Sequence, residues 1–149
     1  TAKSDATLGS TAQRATREQL QKFYTELAKK NRVPTPNTAT ESDDPVCNAG
    51  RGKCAVNAYG DLLTCLEVRD AIGNLREHSF QSLWLSEKAN ALRGFKNKAL
   101  EFDTNCGDGS FCDHCPGMAK SEVGNAMAPV PFLMELAAIK REIFLLNQR

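Results

Sequence analysis

The chain has 149 residues, an ordinary length for one domain and enough to bury a hydrophobic core without disulfide bonds. Its 19 Lys and Arg residues nearly balance its 18 Asp and Glu residues, so we expect no nucleic-acid or membrane partner. No apolar run approaches the ~20 residues that span a bilayer, and the N-terminus lacks the pattern of a secretory signal, so we expect a cytoplasmic protein.

The first predicted element is a helix from about Arg17 to Lys30. Thr16 begins a capping box, and apolar residues recur on one helical face after it. Residues 33–45 contain three prolines among small polar residues, a composition typical of an extended linker. The sequence therefore predicts an N-terminal helix and linker at 1–45 and a second unit at 46–149.

The second unit is predicted to combine a small hairpin with short helices. Two short apolar runs, 54–58 and 62–66, flank a Tyr-Gly-Asp turn and predict the β-hairpin. Ser79 and Ser86 each precede apolar residues at helical spacing and are expected to cap two short helices. Pro131 stands at the preferred first position of a last helix. The predicted class is α+β, with long loops between these elements and a helix at each end.

The six cysteines fall into two groups, one around the hairpin and one in a glycine-rich loop: Cys47, Cys54 and Cys65, then Cys106, Cys112 and Cys115. Folding the chain back on itself would gather their sulfurs around a soft metal centre, because thiolates suit zinc, copper(I) and iron–sulfur clusters. Three disulfide bonds are the alternative in an exported chain. Only Cys112 and Cys115 form a Cys-x-x-Cys knuckle, whereas zinc ribbons usually have two, so the spacing favours an iron–sulfur cluster.

The spacing from Cys47 through Gly60 to Cys65 resembles the opening signature of the SPASM domain. That domain is the C-terminal auxiliary-cluster module of many radical SAM peptide-modifying enzymes. Three later segments also resemble this family: Ile72–Leu75, Ser82–Trp84 and Cys115–Gly117. The resemblance covers roughly residues 42–141 and implies that residues 1–45 are the end of a barrel domain that the chain lacks.

The resemblance implies an auxiliary 4Fe–4S cluster held by four cysteines: Cys47, Cys54, Cys65 and Cys115. The family's second cluster would use four further positions, occupied here by Asp103, Cys106, Cys112 and Met134. A carboxylate can replace a thiolate on iron, but Met is a poor cluster ligand, so the second cluster is expected to be absent, smaller or completed by an outside ligand. A single-cluster arrangement is the alternative, with Cys47, Cys65, Cys112 and Cys115 as ligands.

Two neighbouring features bear on such a centre. Arg51 and Lys53, close to the first thiols, would offset the negative charge of a reduced cluster and raise its potential, or would simply be solvated hairpin charges. His114, between two cysteines, is expected to be an exposed loop residue.

No Cys-x-x-x-Cys-x-x-Cys motif is present, and radical SAM enzymes use that motif to bind their catalytic cluster. S-adenosylmethionine is therefore expected to bind only a separate barrel domain, and no catalytic residue is predicted in this chain. The resemblance implies electron transfer or substrate positioning in a maturase, with the barrel domain and a peptide or protein substrate as partners. The alternative from another class is a non-catalytic structural or interaction module that holds zinc through Cys47, Cys54, Cys112 and Cys115.

Overall fold

The computed structural model describes residues 11, 13–37, 43–97 and 109–148, and within these ranges it contains five helices and one small sheet. The helices are α1 (Arg17–Lys29), α2 (Phe80–Trp84), α3 (Glu87–Arg93), α4 (Pro116–Val123) and α5 (Pro131–Leu146). The strands are β1 (Ala55–Val56), β2 (Asp61–Leu63) and β3 (Gly73–Asn74). The combination confirms the predicted α+β class. None of the helices in the described ranges has the length and apolar character needed to cross a membrane.

The sheet is antiparallel, in the order β1-β2-β3, and its central strand supplies the buried Leu62. The turn between β1 and β2 is closed by Asn57, whose side-chain oxygen accepts hydrogen bonds from the backbone N–H groups of Tyr59 and Asp61 at 2.9 and 3.0 Å. Gly60 completes this turn with a φ of 89°, a conformation that glycine adopts without strain. The hairpin was predicted, whereas β3 was not, because its Gly-Asn pair carries no alternating apolar pattern.

Helices α2 and α3 cover one side of the sheet. Ser79 and Ser86 cap them as predicted, because their side chains accept hydrogen bonds from the backbone N–H groups three residues later. The buried residues between these helices and β2 are Leu62, Ile72, Leu83 and Ala89. Helix α3 ends at Arg93. The side chain of Arg93 contacts the loop before β1 by donating a hydrogen bond to the carbonyl oxygen of Gly50.

The N-terminal and C-terminal helices pack against each other. Thr16 and Gln19 form the predicted capping box of α1, and Pro131 occupies the first turn of α5. Their interface buries Ala28 of α1 with Ile139 and Ile143 of α5. Since apolar burial drives most helix pairing, this interface fixes α1 on the C-terminal helix. The division of the chain at residue 45 stays a prediction.

Helix α4 was not predicted from the sequence. Pro116 stands in its first turn, and Gly124 ends it in the left-handed conformation with a φ of 83°. The helix packs onto the start of α5 through Ala119, Val130 and Leu133. The glycine-rich loop therefore ends at Cys115, the residue immediately before α4.

Candidate metal centre

A mostly apolar cavity of about 120 Å³ lies where the sheet side of the molecule meets α4. Its wall is built by the loop before β1, the segment after β2, the end of α3 and the start of α4. Three cysteines from three of these parts line it: Cys47, Cys65 and Cys115. Thiols that are far apart in the sequence thus meet at one cavity.

A close backbone contact holds α4 against the segment that follows Cys65. A Cβ atom on Gly117 would lie 2.6 Å from Cβ of Glu67 and 2.7 Å from the Glu67 carbonyl carbon. Real Cβ atoms essentially never approach other atoms this closely, so only glycine fits here. Gly117 therefore allows the approach that brings Cys115 and Cys65 to the same cavity.

The Cys115 thiol lies in an environment that opposes its ionisation. Burial raises the pKa of this thiol, and the negative charges of Cys65 and Glu67 raise it further. The backbone N–H groups of Met118 and Gly117, at the N-terminus of α4, lower the pKa. The Cys115 side chain makes no helix-capping hydrogen bond, so these N–H groups act as favourable dipoles beside the sulfur. A thiolate here is stabilised when a cation binds it.

The loop that carries Cys47 is fixed onto the end of β2. The backbone N–H of Ala49 donates a hydrogen bond to the Cys47 sulfur at 3.4 Å. The N–H of Gly50 donates to the carbonyl oxygen of Thr64 at 2.9 Å, and Gly50 has a φ of 68°. Since Thr64 directly precedes Cys65, this contact holds the Cys47 loop beside the second thiol.

Two other predicted ligands lie outside the cavity lining. Cys54 is exposed, although it directly follows Lys53, which lines the cavity. Cys112 is buried in a separate apolar cluster with Phe111 and Ala137. The structure therefore brings together three of the predicted cysteines and places these two in different surroundings.

The predicted second-cluster positions are only partly described. Met134 packs against the same apolar cluster as Cys112. Asp103 and Cys106 lie outside the described residues. Within the described part of this site, Cys112 and Met134 thus have hydrocarbon neighbours, with Phe144 also packed against them.

His114 is half-buried and lines the cavity, so the prediction of an exposed loop residue was wrong. Its Nε2 lies 2.7 Å from the carbonyl oxygen of Ala126. Because a carbonyl oxygen only accepts, Nε2 carries a proton and donates. Burial lowers the pKa of His114, and the hydrogen bond to Ala126 opposes that shift. Its position follows from the tertiary contact of the loop with the 124–128 turn, which the sequence does not reveal.

Zinc and iron–sulfur centres differ in how far apart they hold their cysteine sulfurs. Among the described residues, no three His, Cys, Asp or Glu side chains are grouped so that they could hold one metal ion. Structural zinc needs four donors at ~2.0–2.3 Å from one centre. In a 4Fe–4S cluster each cysteine binds a different iron, so the sulfurs stand around a larger volume. No disulfide joins any two of the cysteines in the described ranges.

Unbridged thiols around a largely apolar cavity form a candidate site for a cysteine-ligated metal cluster. Residues 47–116 match the family model of the SPASM domain, an iron–sulfur cluster-binding domain. This match confirms the resemblance drawn from the cysteine spacing. SPASM domains bind iron–sulfur clusters, and the matched segment includes all three cysteines of the cavity. No curated protein and no solved structure matches the chain significantly.

Proposed function

We propose that this domain holds one 4Fe–4S cluster and acts as the auxiliary-cluster module of a cytoplasmic radical SAM maturase. Its partners are the barrel domain of that enzyme, where S-adenosylmethionine binds, and a peptide or protein substrate. The observation that carries the proposal is the meeting of Cys47, Cys65 and Cys115 at one cavity inside the matched segment. These three cysteines are the ones common to both ligand sets that the family resemblance implies.

A bound auxiliary cluster supplies a one-electron acceptor, whose potential depends on its ligands, hydrogen bonds and solvent exposure. The residues of this chain bind and orient it. The Ala49 N–H points to the Cys47 sulfur, and the first N–H groups of α4 lie beside Cys115. Val46 and Phe95 add apolar surface to the cavity wall.

The fourth ligand distinguishes electron transfer from direct substrate positioning. Cys54 directly follows Lys53, a residue of the cavity wall, in the sequence. Cys112 is instead packed against Phe111 and Ala137. We assign the fourth position to Cys54, because a short movement of an exposed residue costs less than extracting a buried one. With four cysteine ligands no iron is left open for a substrate group, and the role is then electron transfer.

The first experiment is metal analysis of the chain purified without oxygen. We expect about four irons and four sulfides per chain, a brown absorbance, and an EPR signal on one-electron reduction by dithionite. About eight irons would show that the second site is also filled. Zinc without sulfide would refute the proposal in favour of the structural zinc module, and a cluster that dithionite cannot reduce would refute the electron-transfer role.

Single substitutions then identify the ligands. Cys115→Ser and Cys65→Ser should reduce iron and sulfide to less than half of the wild-type values, because each removes a thiolate from the cavity. Cys54→Ser should leave a cluster with a changed EPR signal or lost iron. Cys112→Ala is the matched control, since it removes a thiol outside the cavity and should keep about four irons. Loss of the cluster in Cys112→Ala with retention in Cys54→Ser would instead support the alternative ligand set.

A further inference from the structure

Arg93, the last residue of α3, uses all of its guanidinium nitrogens beside the cavity. Its Nε donates to the carbonyl oxygen of Gly50, its Nη1 to the side chain of Asn90 at 2.7 Å, and its Nη2 to the carbonyl oxygen of Trp84 at 2.6 Å. The guanidinium carbon also lies 4.4 Å from the centre of the Trp84 ring, within cation–π range. The planar group is therefore fixed in one orientation.

These contacts connect α3 to the loop between Cys47 and Cys54. Gly50 lies within that loop, and its N–H is already bound to the end of β2. A second hydrogen bond has its donor in the loop: Nη2 of Arg51 donates to the backbone carbonyl oxygen of Arg93 at 2.9 Å. Apart from an isolated bridge between Ala49 and Lys53, the loop has no regular secondary structure before β1. These side-chain contacts act together with the backbone hydrogen bonds from Val46 to Phe95 and from Gly50 to Thr64, which also hold the loop.

Arg93 also places a permanent positive charge in the cavity wall. Lys53 is the other cationic residue of the wall, but it is exposed and its flexible side chain is solvated. Glu67 adds a negative charge, and His114 is the remaining titratable side chain other than the thiols. A cluster carries one more negative charge when reduced, so a fixed cation at its wall stabilises the reduced form and raises the potential.

We propose that Arg93 is a positioning residue of the iron–sulfur site: it clamps the Cys47–Cys54 loop through Gly50 and raises the reduction potential of the bound cluster. This inference rests on the proposed function. Its two parts are separable, because lysine keeps the charge and loses the three-way hydrogen bonding, whereas glutamine loses the charge.

The test compares Arg93→Lys and Arg93→Gln with Arg141→Gln, a matched control on the exposed side of α5 that removes the same charge away from the cavity. Each protein is prepared without oxygen, iron and sulfide are measured per chain, and the midpoint potential of the loaded fraction is determined by EPR during titration with dithionite. Because the potential is read only from loaded protein, partial misfolding does not hide the effect.

Both Arg93 variants should load less iron than the wild type, since the clamp on Gly50 is lost. Arg93→Gln should also show a roughly tenfold lower ratio of reduced to oxidised cluster at a fixed potential, about 59 mV for a one-electron couple. Arg93→Lys and Arg141→Gln should keep the wild-type potential. If Arg93→Gln loads no cluster while Arg141→Gln loads fully, the clamp is supported, and reconstitution of Arg93→Gln with excess iron and sulfide supplies the loaded protein whose potential decides the charge.

Arg93→Gln with the wild-type potential overturns the role of the charge, and wild-type iron content in both Arg93 variants overturns the clamp. A shifted potential in Arg93→Lys would also contradict the charge argument. Failure of the wild-type chain itself to bind iron and sulfide would refute the proposed function instead, so the two failures are distinct.

Discussion

Replacement of Gly117 by alanine tests the contact that brings the two halves of the cavity together. The new Cβ would meet Cβ, the carbonyl carbon and the carbonyl oxygen of Glu67 at 2.6, 2.7 and 2.9 Å. Two of these three atoms belong to the backbone and cannot rotate away. The start of α4 must therefore move from the segment after Cys65, and Cys115 moves with it.

The expected cost follows from opposing terms. Alanine gains up to about 1 kcal/mol over glycine from helix propensity and from the smaller entropy of the unfolded chain. Overpacking of a well-packed contact costs about 1–3 kcal/mol, and a backbone neighbour favours the upper part of that range. We therefore expect Gly117→Ala to lower the free energy of unfolding by about 1–2 kcal/mol, since the steric term is larger than the gain.

Two measurements follow: urea unfolding of the metal-free, reduced chain by circular dichroism, and iron content after anaerobic reconstitution. Gly52→Ala is the matched control, because Gly52 is exposed and nothing lies within 4 Å of its new Cβ. It should change the free energy of unfolding by less than about 0.5 kcal/mol and keep full iron content. If Gly117→Ala matched this control in both measurements, the Gly117 contact would not determine the approach of Cys65 and Cys115.

Two further predictions concern the scaffold around the site. Ile139→Ala removes a fully buried side chain between α1 and α5 and should lower the free energy of unfolding by about 2–5 kcal/mol in urea; an effect as small as that of the exposed Leu145→Ala would show that this interface contributes little. The Asp61 carboxylate accepts hydrogen bonds from Asn57 and Asn74, which lower its pKa below the usual value for aspartate. Its stabilisation is therefore present above the unfolded-state pKa of about 4 and is lost as the pH falls through the lower folded-state pKa. Asp61→Asn should therefore flatten the loss of stability below pH 4 in acid titrations followed by circular dichroism, and an unchanged acid profile would contradict this assignment.

Local chemistry in the sequence predicted most helix starts. Thr16, Ser79 and Ser86 cap α1, α2 and α3 because their side chains satisfy backbone N–H groups within three residues. Such contacts do not depend on the rest of the fold. Helix α4 was missed because its small residues form no apolar stripe, although Pro116 at its start and Gly124 at its end are the expected boundary pair.

The site was predicted only in part because its assembly depends on non-local contacts. Family resemblance identified the cysteines, but their spacing fits two ligand sets equally well. The contact of Gly117 with Glu67 and the hydrogen bond from Gly50 to Thr64 bring together the three thiols that both sets share, and the fourth ligand stays a prediction. Neither contact leaves a pattern in the sequence, since both involve backbone atoms.

Arg93 was missed for the same reason. Two of its acceptors are the carbonyl oxygens of Gly50 and Trp84, and every residue has a carbonyl. Sequence reasoning instead selected Arg51 and Lys53, the cationic residues nearest to the first cysteines. In the structure Lys53 does line the cavity, whereas Arg51 acts by donating to the backbone of Arg93.

The charges around the cavity connect its folding to its function. Burial raises the pKa of Cys115, and Cys65 and Glu67 add negative charge nearby, so deprotonated thiols in this wall repel one another without a bound cation. Cluster binding requires thiolates, and the free energy of binding is then added to that of folding. Arg93 reduces the remaining repulsion from a position that is fixed before the cluster arrives. Under our proposal, the residue that orders the Cys47 loop thus also offsets the charge that a bound cluster gains on reduction.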